Sequence, residues 1–403
     1  MIDLLLQVTS SSTVLVAIAI IIILGYISLD IFRRTRIPEL LILMLIGIFL
    51  VQILGLVPHD YLDVLRSLAP IFGSLALVVI MYNGGQELKF DSSLITNWKG
   101  VALGILDNLL AIAVLAVFMY YAFGWPLLYG AILGAILGET TSLVIIPFIR
   151  KVKLGSGLFK TLFIESTLNS VVAIVAFSLL LVLAQNQTLS ALTFTTYILD
   201  YISLAVVIGF VAGIGWLFVL NSLKSAREYL ATIAMAILLY GMVDIFNGAP
   251  IVTVLIFAMI IGNKRIFAKA LNLKMNFNLN KEKAVEKELE FLISTFFFVF
   301  MGMITVLSLG FAIEGLIVAF ILIIARYAEV RGVMKNNTKE ERYIVFALMP
   351  RGVTVATLAT IAYGLGGEYF PQIFYLSFFV IVATSIASSF LLTKVKVELK
   401  EGQ

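Results

Sequence analysis

The chain has 403 residues, of which 61% are hydrophobic and 13% are charged, and its mean hydropathy is +1.09. Soluble domains carry about 45–50% apolar and about 25% charged residues, so this composition excludes an ordinary soluble protein and indicates a polytopic membrane protein. The absence of cysteine excludes disulfides and thiol chemistry. The small net charge of +4 reflects basic loops and gives no indication of a nucleic-acid partner.

Apolar runs long enough to cross a bilayer recur along the whole chain. A spanning helix needs about 20 mainly apolar residues, and on this criterion we predict about thirteen spans joined by short loops. The predicted spans cover approximately residues 12–32, 38–57, 67–86, 100–122, 126–149, 160–184, 195–221, 229–246, 249–262, 289–308, 310–327, 342–364 and 372–393. The predicted fold class is therefore an all-α polytopic membrane protein.

Basic residues predict the orientation of these spans. All but two of the 28 basic residues fall in loops that an alternating path places on one side. The exceptions are Arg66 and Arg351, while Arg326, at the end of the eleventh predicted span, is counted with the loops. Because Lys and Arg concentrate in cytoplasmic loops, we predict an external N-terminus and a cytoplasmic C-terminus in the cell membrane. Met1 to Asp3 lacks a basic n-region, so we expect the first helix to be retained.

The fifth predicted span contains an acidic residue within a polar interruption. Gly134 and Gly138 precede Glu139-Thr140-Thr141-Ser142, a composition typical of a transporter helix that unwinds so that its carbonyls face an ion. Close helix packing is the alternative for the glycines and threonines. A carboxylate gains nothing from packing alone, so the presence of Glu139 favours an ion path over helix packing as the interpretation of this motif.

The sixth predicted span carries four polar residues on one stripe. Glu165, Ser166, Asn169 and Ser170 occupy positions i, i+1, i+4 and i+5, which share a helix face. These side chains can offer several oxygens to a partly dehydrated cation. The alternative is a hydrogen-bond network between helices.

The twelfth predicted span contains Pro350-Arg351-Gly352. Proline frees a carbonyl one turn back, glycine tolerates the distortion, and a guanidinium can satisfy freed carbonyls or a buried carboxylate. We therefore expect Arg351 to be a fixed counter-charge.

Three runs together resemble one transporter family. They are Gly134 to Lys151 (GAILGETTSLVIIPFIRK), Phe163 to Val171 (FIESTLNSV) and Met349 to Ala356 (MPRGVTVA). In this order, they look like the signature helices of the monovalent cation:proton antiporters of the sodium/hydrogen exchanger type. The similarity extends from about residue 33 to about residue 393.

The resemblance implies a homodimer of inverted-repeat subunits, in which the fifth and twelfth spans are broken and cross near mid-membrane. It also implies one exchanger domain over residues 1–403, with a moving core, a scaffold and a linker. The core comprises spans at about 100–184 and 310–393, the scaffold about 12–86 and 229–308, and the linker 195–221. Carried over by position, Glu165 and Arg351 would form a structural ion pair. Ser166, Asn169 and Thr140 would contribute to the ion site, and we assign Glu139, Thr141 and Ser170 to the same predicted site.

The chain departs from the family pattern at two carboxylates. Ser170 stands where the sixth helix normally carries an aspartate, and Thr141 stands where the fifth helix often carries another. Serine cannot titrate in a useful range, whereas antiport through one site needs a group that exchanges a proton for a cation. Our hypothesis is that Glu139 replaces the missing aspartate. Asp107, which is the only acid in the fourth span, is the reserve candidate.

The predicted function is secondary active exchange of Na+ or K+ for protons, with the lipid bilayer and a second copy of the chain as partners. The alternative is a sensor, or a carrier of another solute, that has this fold and has lost exchange. A channel is disfavoured because no filter loop is evident. An enzyme is disfavoured because the lone His59 lies in an outer loop beside Asp60. No cofactor and no metal beyond the transported cation is predicted.

Overall fold

The computed structural model describes residues 11–35, 39–55, 59–88, 97–140, 155–185, 191–222, 228–246, 248–273 and 279–394. Within these ranges the regular secondary structure is entirely helical, which confirms the predicted all-α fold. A chain in lipid must satisfy its backbone polar groups internally, and long apolar helices do so within one segment. Thr141, one of the predicted ion-site residues, lies outside the described residues.

The helices are numbered α1 to α15 in chain order. They are α1 (Ser11–Thr35), α2 (Glu39–Ile48, continued by a π-helical turn, Phe49–Ile53), α3 (His59–Glu87), α4 (Trp98–Phe123), α5 (Leu127–Leu137), α6 (Ser156–Gln185), α7 (Ala191–Ser222), α8 (Glu228–Ile245), α9 (Pro250–Gly262), α10 (Lys264–Ala270), α11 (Leu279–Ile304), α12 (Leu309–Val333), α13 (Lys339–Ala347), α14 (Val353–Gly364) and α15 (Tyr369–Thr393).

Helix length and apolarity do not confirm the exact count of thirteen spans. Among the described residues, seven helices are long and apolar enough to cross a membrane. The number becomes eight if α9 and α10, which meet at an angle of 71°, form one bent span. Shorter apolar helices of 10–17 residues, including α5 and α14, account for much of the remaining predicted set.

Two of the chain's polar motifs lie partly in non-helical backbone. Helix α5 ends at Leu137, and Glu139 and Thr140 follow in non-helical backbone. Helices α13 and α14 are separated by the non-helical residues 348–352, so the twelfth predicted span is broken around Pro350. Helix α5 contacts α14, which brings the two interruptions together.

The helices around these interruptions form one packed group. Helix α4 packs against α5, α6 and α12, while α15 packs against α12 and α14. A second set of contacts joins α3 to α9 and α2 to α11. At the α2–α11 contact, Gly47 faces Gly302. The two helices are so close that a methyl group on either glycine would clash with the backbone of the other helix. The division into a moving core and a scaffold stays a prediction from the sequence.

Candidate functional site

Six ionisable side chains are buried together where α4, α6 and α12 meet the ends of α5 and α13. Each of them is at most 4% exposed. This acid–base cluster contains four acids and two bases: Asp107, Glu139, Glu165, Glu329, Arg326 and Arg351. A buried charge is tolerated when it is paired or neutralised, so the two acids in excess of the bases need another form of compensation.

Asp107, on α4, is the acid that contacts both guanidiniums. Its Oδ2 atom accepts a hydrogen bond of 3.1 Å from Arg351 Nη1, and Arg326 Nη1 lies 3.8 Å away. Asn169 Nδ2 donates a third contact to the same oxygen, at 3.2 Å. The carboxylate that we predicted as a reserve proton carrier is therefore held by two positive charges and an amide.

Glu165, on α6, pairs with Arg326 and not with Arg351. Arg326 Nη2 donates to Glu165 Oε1 and, at 3.2 Å, to the carbonyl of Val345. The predicted direct pair of Glu165 with Arg351 is thus corrected, since Arg351 contacts Asp107 instead. The charge types were recognisable from the sequence, but the partners come from helices far apart in the chain.

Arg326 is also in a different place from the one that we predicted. The span was expected to end at about residue 327, with Arg326 counted among the cytoplasmic loops, but α12 continues to Val333 and buries the Arg326 side chain completely. Arg326 Nη1 donates to Glu329 Oε2 at 3.0 Å, three residues along the same helix. Neither residue was among the predicted site residues. Their i, i+3 spacing of opposite charges was the available signal.

The break between α13 and α14 is satisfied by hydroxyl groups from α15. Thr384 Oγ1 accepts a hydrogen bond of 3.2 Å from the backbone amide of Arg351. Ser388 Oγ donates to the carbonyl of Ala347 at 2.6 Å. Backbone groups freed by a broken membrane helix need such partners, and here they hold Arg351 by its main chain as well as by its guanidinium.

Asn169, on α6, connects the break after α5 to the acid–base cluster. Its Oδ1 atom accepts hydrogen bonds from the Thr140 amide at 3.1 Å and from Asn108 Nδ2 at 3.2 Å. Asn108 Nδ2 also donates to the Asn169 carbonyl at 3.1 Å. Together with the contact from Asn169 to Asp107, these bonds fix the non-helical backbone against α4 and α6. Asn108, beside Asp107 on α4, was not predicted as a site residue.

Glu139 lies beside Ser170, the residue at which the family's aspartate is missing. Ser170 Oγ donates a hydrogen bond of 2.8 Å to Glu139 Oε1. Glu139 forms no ion pair with any described residue. Its second oxygen, Oε2, is buried without a hydrogen-bond partner, and Thr354 at the start of α14 faces the carboxylate.

Two further oxygens near Glu139 are buried without hydrogen-bond partners. They are Thr140 Oγ1 and Asn108 Oδ1. A Cβ atom at Gly138 would lie 2.7 Å from Asn108 Oδ1, so glycine is the residue that lets α4 approach the chain next to Glu139. Carboxylate, hydroxyl and amide oxygens are suitable ligands for a small cation.

Ser166 makes a different contact from the other residues of its stripe. Its side chain is fully buried, but its hydroxyl donates to the Phe163 carbonyl of its own helix at 3.1 Å. Among the predicted ion-site residues that the structure describes, Glu139, Thr140, Asn169 and Ser170 are linked by hydrogen bonds or by adjacency in the chain.

Comparison with protein families gives a match over most of the chain. A family model described as "Sodium/hydrogen exchanger, transmembrane" matches residues 17–395. Among solved structures, the sodium proton antiporter MjNhaP1 from Methanocaldococcus jannaschii at pH 8 is similar with a TM-score of 0.76 and 20% identity. That match covers 95% of this chain and 99% of MjNhaP1. At this identity the structural match shows a shared fold.

Curated relatives match over a shorter region. The K(+)/H(+) antiporter NhaP2 of Shewanella oneidensis is 25% identical over 239 residues. A protein of the same name from Shewanella baltica is 24% identical over 241 residues. Each match covers 57% of this chain and 40% of the relative, so the chain matches less than half the length of these relatives.

Proposed function

This chain belongs to the sodium/hydrogen exchanger family, and we propose that it exchanges a monovalent cation for protons by alternating access, as a transporter rather than an enzyme. The observation that carries the proposal is the hydrogen bond from Ser170 Oγ to Glu139 Oε1, at 2.8 Å. It means that a buried carboxylate is present beside the serine, although position 170 itself cannot titrate.

Glu139 is the proposed exchangeable group. It is 1% exposed, forms no ion pair with a described residue and has one oxygen without a hydrogen-bond partner. A buried carboxylate without a cationic partner is costly when it is ionised, and either a proton or a cation removes that cost. The two ligands therefore compete for one position, which is the requirement for antiport through a single site.

The proposed cation ligands are the three unpartnered oxygens at the break after α5. Glu139 Oε2 supplies the negative charge, while Thr140 Oγ1 and Asn108 Oδ1 supply neutral oxygens that replace part of the ion's hydration shell. Asn169 positions this group, because its side chain holds both the Thr140 amide and the Asn108 amide. Ser170 orients the carboxylate through the Oε1 atom.

Asp107 has a positioning role in this proposal. Both guanidiniums of the cluster contact its Oδ2 atom, so its negative charge is compensated by protein groups that do not leave. The two guanidiniums beside that oxygen would also repel an added cation. Asp107 would therefore keep Arg351 and Asn169 in place while Glu139 exchanges its ligand.

The transported cation is proposed to be Na+ or K+. The structural neighbour is a sodium proton antiporter and the curated relatives are K(+)/H(+) antiporters, so the relatives support both ions. We also propose that two copies assemble in the cell membrane, each with an external N-terminus and a cytoplasmic C-terminus. The loop charges of the sequence support this orientation.

A sensor or a carrier of another solute is the second candidate. The substitution of serine at position 170 favours it, because the family's usual titratable residue is absent there. The two candidates differ in one observable property, which is movement of protons in response to a monovalent cation.

The test uses purified protein in liposomes with an acidic lumen and a pH-sensitive dye inside. Adding Na+ or K+ outside is expected to make the lumen more alkaline, because the cation enters in exchange for protons. Choline, which is too large for three clustered oxygens, is the matched salt control and should give no response. The absence of a response to both ions, at every pH between the ordinary titration ranges of Glu and Lys, would favour the sensor.

A further inference from the structure

The acid–base cluster contains a second group of charges that the proposed exchange does not use. Glu165 and Glu329 both bind Arg326, one through Nη2 and the other through Nη1. All three side chains of this triad have an exposed fraction of 0%. Glu165 Oε2 and Glu329 Oε1 are buried without hydrogen-bond partners. Arg326 Nε is also buried without a hydrogen-bond partner, so the triad is a closed site with two unsatisfied acceptor atoms and one unsatisfied donor.

The charges around the triad do not compensate the second carboxylate. Helix α12 supplies Arg326 and Glu329, α6 supplies Glu165, and α13 supplies only the Val345 carbonyl, which is another acceptor. Helix α4 supplies a further negative group, Asp107, which lies 3.8 Å from Arg326. Asp107 has Arg351 as its own direct partner, and Arg351 also acts on Glu165 from a longer distance. Counting Asp107 and Arg351 with the triad still leaves three carboxylates for two guanidiniums.

The triad therefore has two carboxylates for one guanidinium. With both carboxylates ionised it would carry one uncompensated negative charge in a fully buried position, next to the negative charge of Asp107. Like charges in one buried site do not both ionise readily, and such a pair commonly keeps one proton between its members.

We propose that the Glu165–Arg326–Glu329 triad binds a proton of its own at neutral pH, shared between the two carboxylates and separate from the proton exchanged at Glu139. One proton makes the triad neutral and supplies a donor where the structure has two unpartnered acceptor oxygens. Glu139 is hydrogen-bonded to Ser170, outside the triad. This proton takes no part in the exchange reaction and instead helps to hold α6 and α12 together.

Infrared spectroscopy tests the proposal without any transport. A protonated carboxylic acid has a carbonyl stretch that is separate from the bands of a carboxylate, so the purified protein is measured at neutral pH. Glu329→Gln and Glu165→Gln should each remove the same protonated-acid component, because either change leaves one carboxylate for one guanidinium. The exposed Glu340, on α13, gives the matched control, and Glu340→Gln should keep the component.

Glu139→Gln separates this proposal from the proposed function. The triad component should persist in Glu139→Gln, whatever that variant does in a transport assay. The proposal is overturned if both triad variants keep the full protonated-acid signal. It is also overturned if Glu139→Gln alone removes the whole signal, since the stored proton would then belong to the exchange site.

The pH dependence of unfolding gives a second readout. If the folded triad holds a proton that the unfolded chain releases at neutral pH, the melting temperature in detergent should fall as the pH rises through neutrality. Glu329→Gln should make this fall shallower, because its folded state no longer binds the additional proton. Equal slopes for the wild type and Glu329→Gln would contradict the proposal.

Discussion

Asp107 and Glu139 are both buried carboxylates, but the protein surrounds them in opposite ways. Asp107 is 3% exposed and its Oδ2 atom contacts two guanidiniums and an amide. Glu139 is 1% exposed, accepts one hydroxyl hydrogen bond and has a second oxygen without a partner. Burial is the same for both, so the difference lies in what compensates the charge.

This difference indicates how one buried site can contain both fixed and exchangeable charges. A carboxylate held by protein cations fixes its neighbours, since removing either partner leaves an uncompensated buried ion. Under the proposed function, a carboxylate held by a serine hydroxyl takes its positive ligand from outside the protein. The predictions below test this contrast by removing one feature at a time.

The largest expected effect on stability comes from Asp107→Ala. This change leaves Arg351 without its carboxylate and should destabilise the protein by about 3–5 kcal/mol, the usual cost of breaking a buried ion pair from one side. Glu139→Gln removes no ion pair among the described residues and should lower the melting temperature in detergent far less. Equal decreases in melting temperature for Asp107→Ala and Glu139→Gln would show that protein groups compensate the two negative charges equally well.

The corrected pairing predicts a difference between two double-mutant cycles. Glu165→Ala and Arg326→Ala remove two ends of one contact, so their losses should be non-additive by about 1–3 kcal/mol. Glu165→Ala and Arg351→Ala remove ends of different contacts and should show a smaller coupling energy. Thermal or denaturant unfolding of the single and double variants measures both cycles. A larger coupling for the Glu165 and Arg351 cycle would restore the pairing predicted from the sequence.

Asn169→Ala should weaken cation binding more than it weakens the fold. The change leaves the Thr140 amide without its partner and leaves the Asn108 side-chain amide with only the Asn169 main-chain carbonyl, and an unpaired buried group costs about 1–3 kcal/mol. We expect the apparent KM for the cation to rise about tenfold or more in the liposome assay. Asn337, which is hydrogen-bonded to Lys99 outside the cluster, is the control. Asn337→Ala should leave the KM unchanged, and an equal KM shift in both variants would refute a local role for Asn169.

The smallest effect is expected for Thr140→Val. Valine keeps the shape of threonine but removes the unpartnered Oγ1 atom, so the loss is one proposed ligand, worth about 1 kcal/mol or roughly a fivefold rise in the cation KM. Thr357 on α14 is a matched control, because its hydroxyl is bonded to the Val353 carbonyl of its own helix at 2.7 Å. If Thr140→Val and Thr357→Val behave alike, Thr140 Oγ1 is not a ligand.

Local composition was sufficient to predict the all-helical membrane fold and the position of the helix interruptions. Apolar run length defines a span, and Pro350 or the small residues before Glu139 mark where a helix cannot continue. The same information identified Glu139 as an acid with no packing role. Its hydrogen bond with Ser170 joins residues that are 31 positions apart, so this contact could be identified only from the structure.

The predictions failed where a charge lies at the end of an apolar run. Arg326 was taken as a loop residue because hydropathy falls there, yet a buried guanidinium is stable in a helix when acids from three helices surround it. Once Arg326 is misplaced, Glu165 has no visible partner except Arg351. Pairing between distant helices depends on their packing, which residue spacing along the chain does not encode.

The most direct test of the central claim moves the carboxylate from Glu139 to Ser170. Glu139→Gln should abolish cation-driven proton release from liposomes while the protein stays folded, because the amide has nearly the same shape but cannot ionise. Adding Ser170→Asp to Glu139→Gln should restore exchange, since a carboxylate then returns to the same site from α6. Asp244→Asn, a change at an exposed acid on α8, should transport normally. Normal exchange by Glu139→Gln, with loss of exchange in Asp107→Asn, would contradict the account and assign the exchanged proton to α4.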